Sequence, residues 1–186
     1  MKRYFDIISS ILLILVLLLP IIIIAIIIKI DSNGPSIIFT KRFGKNKKIF
    51  LMPKFRSMKM NAPQVATNLL KNSEKYITKF GSFLRKTSLD ELPQLWSIFI
   101  GDMSFVGPRP ALFNQYDLIS LREKYDIHLL TPGLTGWAQV NGRDKITINK
   151  KIEIERFYKI NQSMLLDLKI LYLTFLKVIK MSDIKH

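Results

Sequence analysis

The chain has no cysteine among its 186 residues. This absence excludes a disulfide framework, a thiolate nucleophile and a zinc site ligated by cysteine. A second absence is local, because the segment 32–72 contains nine basic residues and not one Asp or Glu. The sequence also lacks internal repeats and low-complexity linkers. Its length suits a single catalytic domain rather than two domains of ordinary size.

Positive charge dominates the composition, with 29 Lys and Arg against 14 Asp and Glu, a net charge of +15. Such an excess predicts anionic partners: phospholipid headgroups, phosphorylated substrates or nucleic acid. Because the basic segment 32–72 follows a membrane-length apolar run, we favour contact with an anionic lipid leaflet, where each Lys or Arg contributes about 1 kcal/mol. A solvated basic face is the alternative.

Every residue from Ile11 to Ile28 is apolar. As a helix, this run would extend about 27 Å, just short of a hydrocarbon core of about 30 Å. Pro20 lies near its centre, where the missing N–H and the ring clash predict a bend. Basic residues flank both ends of the run, so the charge asymmetry that fixes a crossing direction is weak. We therefore favour a re-entrant helix that bends at Pro20 and returns to the same membrane face.

Three other interpretations of the apolar run compete with a re-entrant helix. A helix that spans the bilayer stays open, because kinked spanning helices are tolerated when the freed carbonyls find other partners. A cleaved signal peptide is disfavoured, since the run is long and no small-residue cleavage site follows it. So uniform an apolar run also disfavours a buried helix of a soluble protein.

The rest of the pattern predicts an α+β, mainly helical fold, with residues 1–30 embedded in the membrane and residues 31–186 forming the catalytic domain. A short β-hairpin is expected from strands at 36–40 and 48–52, the second ending at Pro53. Helical patterns cover 64–86 with a break near Gly81, 89–100, 111–130 and 150–180. The segment 164–180 places Lys169, Lys177 and Lys180 opposite apolar residues, which predicts an interfacial amphipathic helix or one packed on the core.

Asp90 and Glu91 are the candidate catalytic pair. Their simplest role is structural, because Ser88 and Glu91 have the spacing of a helix capping box. An ordinary aspartate is nevertheless ionised at neutral pH, so Asp90 could attack a phosphorus centre without a general base. Negative charges about 4 Å apart repel by roughly 4 kcal/mol at an effective dielectric of 20. We therefore expect Mg²⁺ on Asp90 and Glu91.

Four basic side chains are candidates for binding the phosphates of a substrate. Arg109 lies between two prolines in Gly107–Pro110, and this stiff backbone preorganises its guanidinium for bidentate contact. Arg85 precedes the acid pair by five residues. Lys54 and Arg56 are further candidates, for which a surface role is the alternative.

Five blocks of sequence, in order, resemble the bacterial sugar transferases, specifically the small monotopic phosphoglycosyl transferases that initiate lipid-linked glycan assembly. These blocks are KRYFD at 2–6, the stretch from Gly34 to Met58, SLDELPQL at 88–95, GDMSFVGPRP at 101–110, and the stretch from Pro132 to Arg143. From the first block to the last they span about 140 residues.

The resemblance implies transfer of a phosphosugar from a UDP-sugar to polyprenyl phosphate, usually undecaprenyl phosphate, with release of UMP and a requirement for Mg²⁺. Asp90 matches the nucleophile that forms a covalent phosphosugar intermediate, and Glu91 matches its partner. Arg85 and Arg109 match positions near the phosphates, Arg143 is a further candidate there, and Asp167 matches a recurrent acid of supporting role.

The family also implies a re-entrant first helix and catalysis at the cytoplasmic face of the bacterial inner membrane. Expected partners are the two substrates, membrane lipids and downstream glycosyltransferases, without nucleic acid. Two other functions remain open: a membrane-anchored basic module that binds anionic lipid or nucleic acid without turnover, and a phosphohydrolase that needs no lipid acceptor.

Overall fold

A computed structural model describes residues 1–62, 73–142 and 146–180. The helices are α1 (Lys2–Asp31), α2 (Lys79–Thr87), α3 (Gln94–Ile100), α4 (Tyr116–Lys124), α5 (Trp137–Val140), α6 (Ile148–Ile160) and α7 (Met164–Lys180). The strands are β1 (Ile37–Phe43), β2 (Ile49–Phe55), β3 (Ser104–Val106), β4 (Ala111–Leu112) and β5 (Gly133–Thr135). Short 3₁₀ turns occupy 45–47, 73–75, 89–91 and 127–129. The predicted α+β, mainly helical class is confirmed.

Two small sheets carry the strands. The first has the order β2-β1-β4 and is antiparallel, while β3 and β5 pair in parallel. The predicted hairpin is present, but both strands extend three residues beyond the predicted ends. Pro53 does not stop β2; it lies opposite Phe39 within the ladder. Because β2 is at the edge of its sheet, a residue without an N–H is tolerated there.

Helix α1 is a single element of 30 residues that contains Pro20. By length and composition it could cross a membrane. One side of it packs against the rest of the protein: Phe5, Leu13 and Leu17 contact the core around α3 and β3, and Ile24 and Ile28 join a second cluster with α2 and β2. The other side exposes a stripe of large apolar residues, namely Ile8, Leu12, Leu15, Val16, Leu19, Ile22, Ile23 and Ile26. An exposed apolar stripe of this length suits lipid.

Polar contacts tie both ends of α1 to the domain. At the start, Arg3 donates to the carbonyl oxygens of Ile98 and Phe99, each at 2.6 Å. Buried Asp6 accepts a hydrogen bond from the backbone N–H of Phe105 at 3.1 Å. At the other end, Ser36 Oγ donates to the Ala25 carbonyl at 2.7 Å. The helix is therefore part of the folded unit.

All four predicted helical segments differ from the observed helices. Of the 64–86 pattern, residues 64–72 lie outside the described part of the chain, and Gly81 lies inside α2 rather than at a break. A Cβ at Gly81 would come 2.1 Å from the Ser57 carbonyl oxygen, so this glycine permits close packing of α2 on the chain after β2. The 111–130 pattern divides into β4, α4 and a 3₁₀ turn.

The 150–180 pattern is two helices, α6 and α7, separated by residues 161–163. The Ser163 hydroxyl accepts from the Leu166 N–H at 3.2 Å and so caps the start of α7. Lys169 lies over the Trp137 ring, with its ammonium 5.8 Å from the ring centroid, and Lys177 lines a cavity beside α7. The side chain of Lys180 lies outside the described part of the chain, so the lysine face of α7 stays a prediction. The exposed apolar residues of α7 include Leu165, Leu168, Tyr172 and Phe175.

Candidate active site

The acid pair lies in the 3₁₀ turn between α2 and α3. Ser88 adopts a left-handed backbone (φ 58°), ends α2 and makes no side-chain cap. The predicted capping box is therefore wrong: Glu91 returns only its backbone N–H to the Ser88 carbonyl, at 3.1 Å, and its side chain points to cations instead. The predicted helix 89–100 begins only at Gln94, after Pro93. The sequence thus places two carboxyl groups on a tight turn and not along a helix.

Two of the predicted cations contact this pair. Lys54 extends from β2 and donates to Glu91 Oε1 at 3.0 Å, while its Nζ is 3.8 Å from Asp90 Oδ2. Arg109 donates from Nη2 to the same Glu91 oxygen at 3.1 Å. Residues distant in the sequence, on β2 and on the loop after β3, therefore meet at one carboxylate.

Asp90 is only 9% exposed. Burial raises the pKa of its carboxyl above the ordinary value, the Lys54 ammonium opposes this, and the adjacent Glu91 charge adds to it. The Arg85 and Arg109 guanidinium groups also lower the pKa of Asp90, which places Arg85 within electrostatic reach of the site as predicted from the sequence. The aspartate is thus desolvated but surrounded by compensating cations.

Arg42 is a site residue that we did not predict. Its guanidinium donates to the Pro110 carbonyl at 3.4 Å, next to Arg109. Burial, followed by repulsion from Arg109, lowers the pKa of Arg42 to about 10 against the opposing attraction of Glu91, so the group stays charged at neutral pH. The alternation of side chains along β1 could have identified Arg42 from the sequence. Arg42 lies on the same inner face of β1 as Thr40 and directly opposite Phe50.

Other predicted residues have contacts elsewhere. Arg56 is 2% exposed and donates from Nη2 to the carbonyl oxygens of Ile28 and Ser32, at 3.3 and 2.6 Å. This cation caps the C-terminal end of α1, where carbonyl groups and the helix dipole favour positive charge. The expected phosphate contact at Arg56 is thus replaced by a structural one. Arg143 lies outside the described residues.

Asp167, predicted as a supporting acid, is also buried in a structural contact. Its carboxylate pairs with Lys2 at the start of α1 and accepts the Tyr158 hydroxyl at 2.6 Å. Burial and the neighbouring carboxylate raise the pKa of Tyr158, so its hydroxyl stays protonated and donates. These contacts join α1, α6 and α7.

Glycines hold the Arg109 loop in place. The Gly107 N–H donates to the Thr135 carbonyl and the Gly133 N–H to the Pro108 carbonyl, both at 2.9 Å. A Cβ at Gly133 would lie 2.1 Å from the Gly107 nitrogen, and one at Gly136 would lie 2.1 Å from the Gly107 oxygen. Only glycine permits such close backbone contact. These backbone contacts between Gly107 and the segment 133–136 thus position Arg109, in addition to its two flanking prolines.

A cavity of about 250 Å³ adjoins the acid pair. Glu91 and Arg109 line it, together with apolar residues from α3, β3, β5, α5 and α7. Gln139, in the Pro132–Arg143 block, also lines it, and neither amide atom of this side chain has a hydrogen-bond partner among the described residues. A buried amide in this state is available to a ligand.

The acid pair is suited to a magnesium ion. Among the residues that the structure describes, no group of three or more His, Cys, Asp and Glu side chains could hold a metal alone. Magnesium in phosphoryl-transfer sites is bound through one or two carboxylates, with waters and substrate phosphates as the other ligands. The two adjacent carboxyl groups of Asp90 and Glu91, with Lys54 and Arg109 beside them, fit that requirement.

The family described as bacterial sugar transferase matches residues 1–181. The chain belongs to this family. The resemblance seen in the sequence blocks is therefore confirmed, and the sugar transferase is 38% identical over its whole length to a Bacillus subtilis protein named uncharacterized sugar transferase EpsL, of which it covers 91%.

Two further relatives carry names that state a reaction. An Escherichia coli UDP-glucose:undecaprenyl-phosphate glucose-1-phosphate transferase is 40% identical over 95% of this chain. A Salmonella typhimurium undecaprenyl-phosphate galactose phosphotransferase is 36% identical over 94% of it. The sugar transferase spans only 40% and 39% of the lengths of these two proteins.

Opposite substitutions beside Asp90 test the electrostatics of the site. Lys54→Met removes a cation and should raise the pKa of Asp90, whereas Glu91→Gln removes a negative charge and should lower it. Titration of the labelled Asp90 carboxyl, by NMR or infrared spectroscopy in detergent, measures both. Lys41→Met, on the exposed side of β1, is the matched control and should leave the midpoint unchanged. Shifts of the same sign in the two site variants would contradict this description.

Proposed function

We propose that the protein transfers a sugar phosphate from a UDP-sugar to polyprenyl phosphate, in the first instance undecaprenyl phosphate, and releases UMP. The observation that carries this proposal is the buried Asp90 carboxyl among Lys54, Arg85 and Arg109. A carboxylate that is desolvated yet held among cations is suited to attack an anionic phosphorus centre. The relatives named above support the substrate classes.

In the first step, an Asp90 oxygen attacks the phosphorus atom that bears the sugar. The bond from this phosphorus to the bridging oxygen breaks, UMP leaves with that oxygen, and an aspartyl phosphosugar remains. In the second step, a phosphate oxygen of the lipid attacks the same phosphorus and displaces Asp90. The product is a polyprenyl diphosphate sugar, and the Asp90 carboxylate is restored.

The cations of the site offset the negative charges that this reaction brings together. The donor diphosphate, the acceptor phosphate and two carboxyl groups meet in a small volume, and Coulomb repulsion between them must be compensated. Arg109 and Lys54 both contact the Glu91 carboxylate. They lie where phosphoryl oxygens would approach Asp90. We assign Glu91 the role of holding these two cations in position.

We assign Mg²⁺ to Asp90, Glu91 and the donor phosphates. When bound, the ion would neutralise charge that develops on the phosphoryl oxygens. Chelation with EDTA should abolish transfer, and added Mg²⁺ should restore it; full activity in a metal-free preparation would remove the ion from the proposal.

We further propose that α1 is re-entrant, with both ends and the catalytic domain at the cytoplasmic face of the inner membrane. A helix of 30 residues is about 45 Å long. Domain residues contact α1 near both ends, through Arg3 and Asp6 at one and Ala25 and Ile28 at the other. A helix that crossed the bilayer would draw these polar contacts into lipid, where they are costly.

Single cysteines can test this path, since the chain has none of its own. We expect Tyr4→Cys and Asn33→Cys, on exposed residues at the two ends of α1, to react with an impermeant maleimide from the same side of the membrane. Asp117→Cys on α4 reports the side of the catalytic domain. Labelling of positions 4 and 33 from opposite sides would establish a spanning helix instead.

Substitution of the nucleophile tests the chemistry. Asp90→Asn should reduce UMP release and lipid-linked product by at least about three orders of magnitude, because the amide cannot form the phosphosugar ester. Membrane association should persist. The wild-type protein incubated with donor alone should yield an Asp90 adduct by mass spectrometry, and Asp117→Asn on the surface is the control.

The same assays separate the other functions. Binding of lipid or nucleic acid without UMP release would indicate a binding module, and free sugar phosphate formed without the lipid acceptor would indicate a phosphohydrolase. An active Asp90→Asn variant would refute the assignment of the nucleophile.

A further inference from the structure

We propose that the cavity beside the acid pair holds the hydrocarbon chain of the lipid acceptor next to its phosphate, and that β5 and α7 thereby determine acceptor recognition without serving the donor step. This inference rests on the proposed function. It specifies a part of the site that the acid pair and its cations do not account for.

The walls of the cavity are suited to hydrocarbon. Leu95, Phe105, Leu134, Leu171 and Val178 contribute apolar surface from α3, β3, β5 and α7.

Two hydroxyl groups in these walls form a hydrogen bond with each other. Thr135 Oγ1 lies 2.7 Å from Thr174 Oγ1, which donates to the Ile170 carbonyl at 2.8 Å. A nucleoside or sugar, rich in polar groups, would meet few partners along such walls, whereas burial of apolar chain there is favourable.

One part of the lining is charged. Glu91 and Arg109 belong to both the cavity and the acid pair, and Lys177 of α7 lines the same cavity. An amphiphile with an anionic head and an apolar tail matches this combination. With its phosphate beside Arg109, the head would lie next to Glu91 and thus adjacent to the Asp90 nucleophile. Gln139 also lines the cavity, and its amide N–H is suited to donate to an oxygen of the head group.

Helix α7 also exposes large apolar side chains on the surface of the protein. Leu165, Tyr172 and Phe175 are 80, 62 and 62% exposed. Exposed apolar surface of this extent indicates contact with lipid. The same helix thus borders both the expected bilayer and the cavity, so a prenyl chain already dissolved in the bilayer would have a short apolar path to the nucleophile.

Two substitutions that fill the cavity from different walls test this assignment. Leu134→Phe adds bulk from β5, and Val178→Phe adds bulk from α7, where Val178 is 37% exposed and can accept a larger side chain without disturbing the core. We expect the KM for undecaprenyl phosphate to rise roughly tenfold or more in each variant. Formation of the Asp90 adduct from donor alone, followed by mass spectrometry and UMP release, should be unchanged.

The matched control is Leu165→Phe, which makes the change on the exposed side of the same helix and should leave both steps unchanged. A slower donor step with an unchanged KM for the acceptor would assign the cavity to the UDP-sugar and overturn the proposal. Wild-type behaviour of Val178→Phe in both steps would overturn it as well. Failure of the proposed function is distinguishable, because the wild-type protein would then form no adduct at all.

Discussion

The structure of this site depends on keeping a carboxyl group out of water without leaving its charge uncompensated. Burial alone disfavours the ionised form of Asp90. Cations from three separate segments stabilise the ionised form: Lys54 from the hairpin, Arg85 from α2 and Arg109 from the loop after β3. Because these segments are far apart in sequence, the electrostatic balance exists only when the whole domain is folded. Much of the architecture can be understood as the means of bringing these charges together.

Residue types and local spacing identified much of this site in advance. The adjacent acids, the proline-flanked Arg109 and the basic Lys54 were all predictable, since each belongs to a short motif with a chemical purpose. Arg42 was missed because its role arises from strand pairing: β1 turns it inward toward Arg109, and this register is a tertiary property. The hairpin, the apolar first helix and the mainly helical class followed from periodicity.

Other predictions failed for the same kind of reason. Arg56 appeared free to bind phosphate, yet the end of α1 leaves carbonyl groups that need donors, and Arg56 supplies them. Ser88 had capping-box spacing, but its left-handed backbone ends the preceding helix instead. Pro53 continues a strand because that strand is at the edge of its sheet. Tertiary position decided the outcome for Arg56 and Pro53, and backbone conformation decided it for Ser88.

The packing of α1 has a practical consequence for anyone who wishes to obtain a soluble catalytic fragment. Removal of residues 1–31 would take away Phe5, Leu13 and Leu17 from one apolar cluster and Ile24 and Ile28 from the other. It would also leave the Asp167 carboxylate without Lys2 and the Arg56 guanidinium without the Ile28 carbonyl. Uncompensated buried charge of this kind is strongly destabilising. Helix α1 and the rest of the domain form one folded unit, and a cut between them would destabilise both.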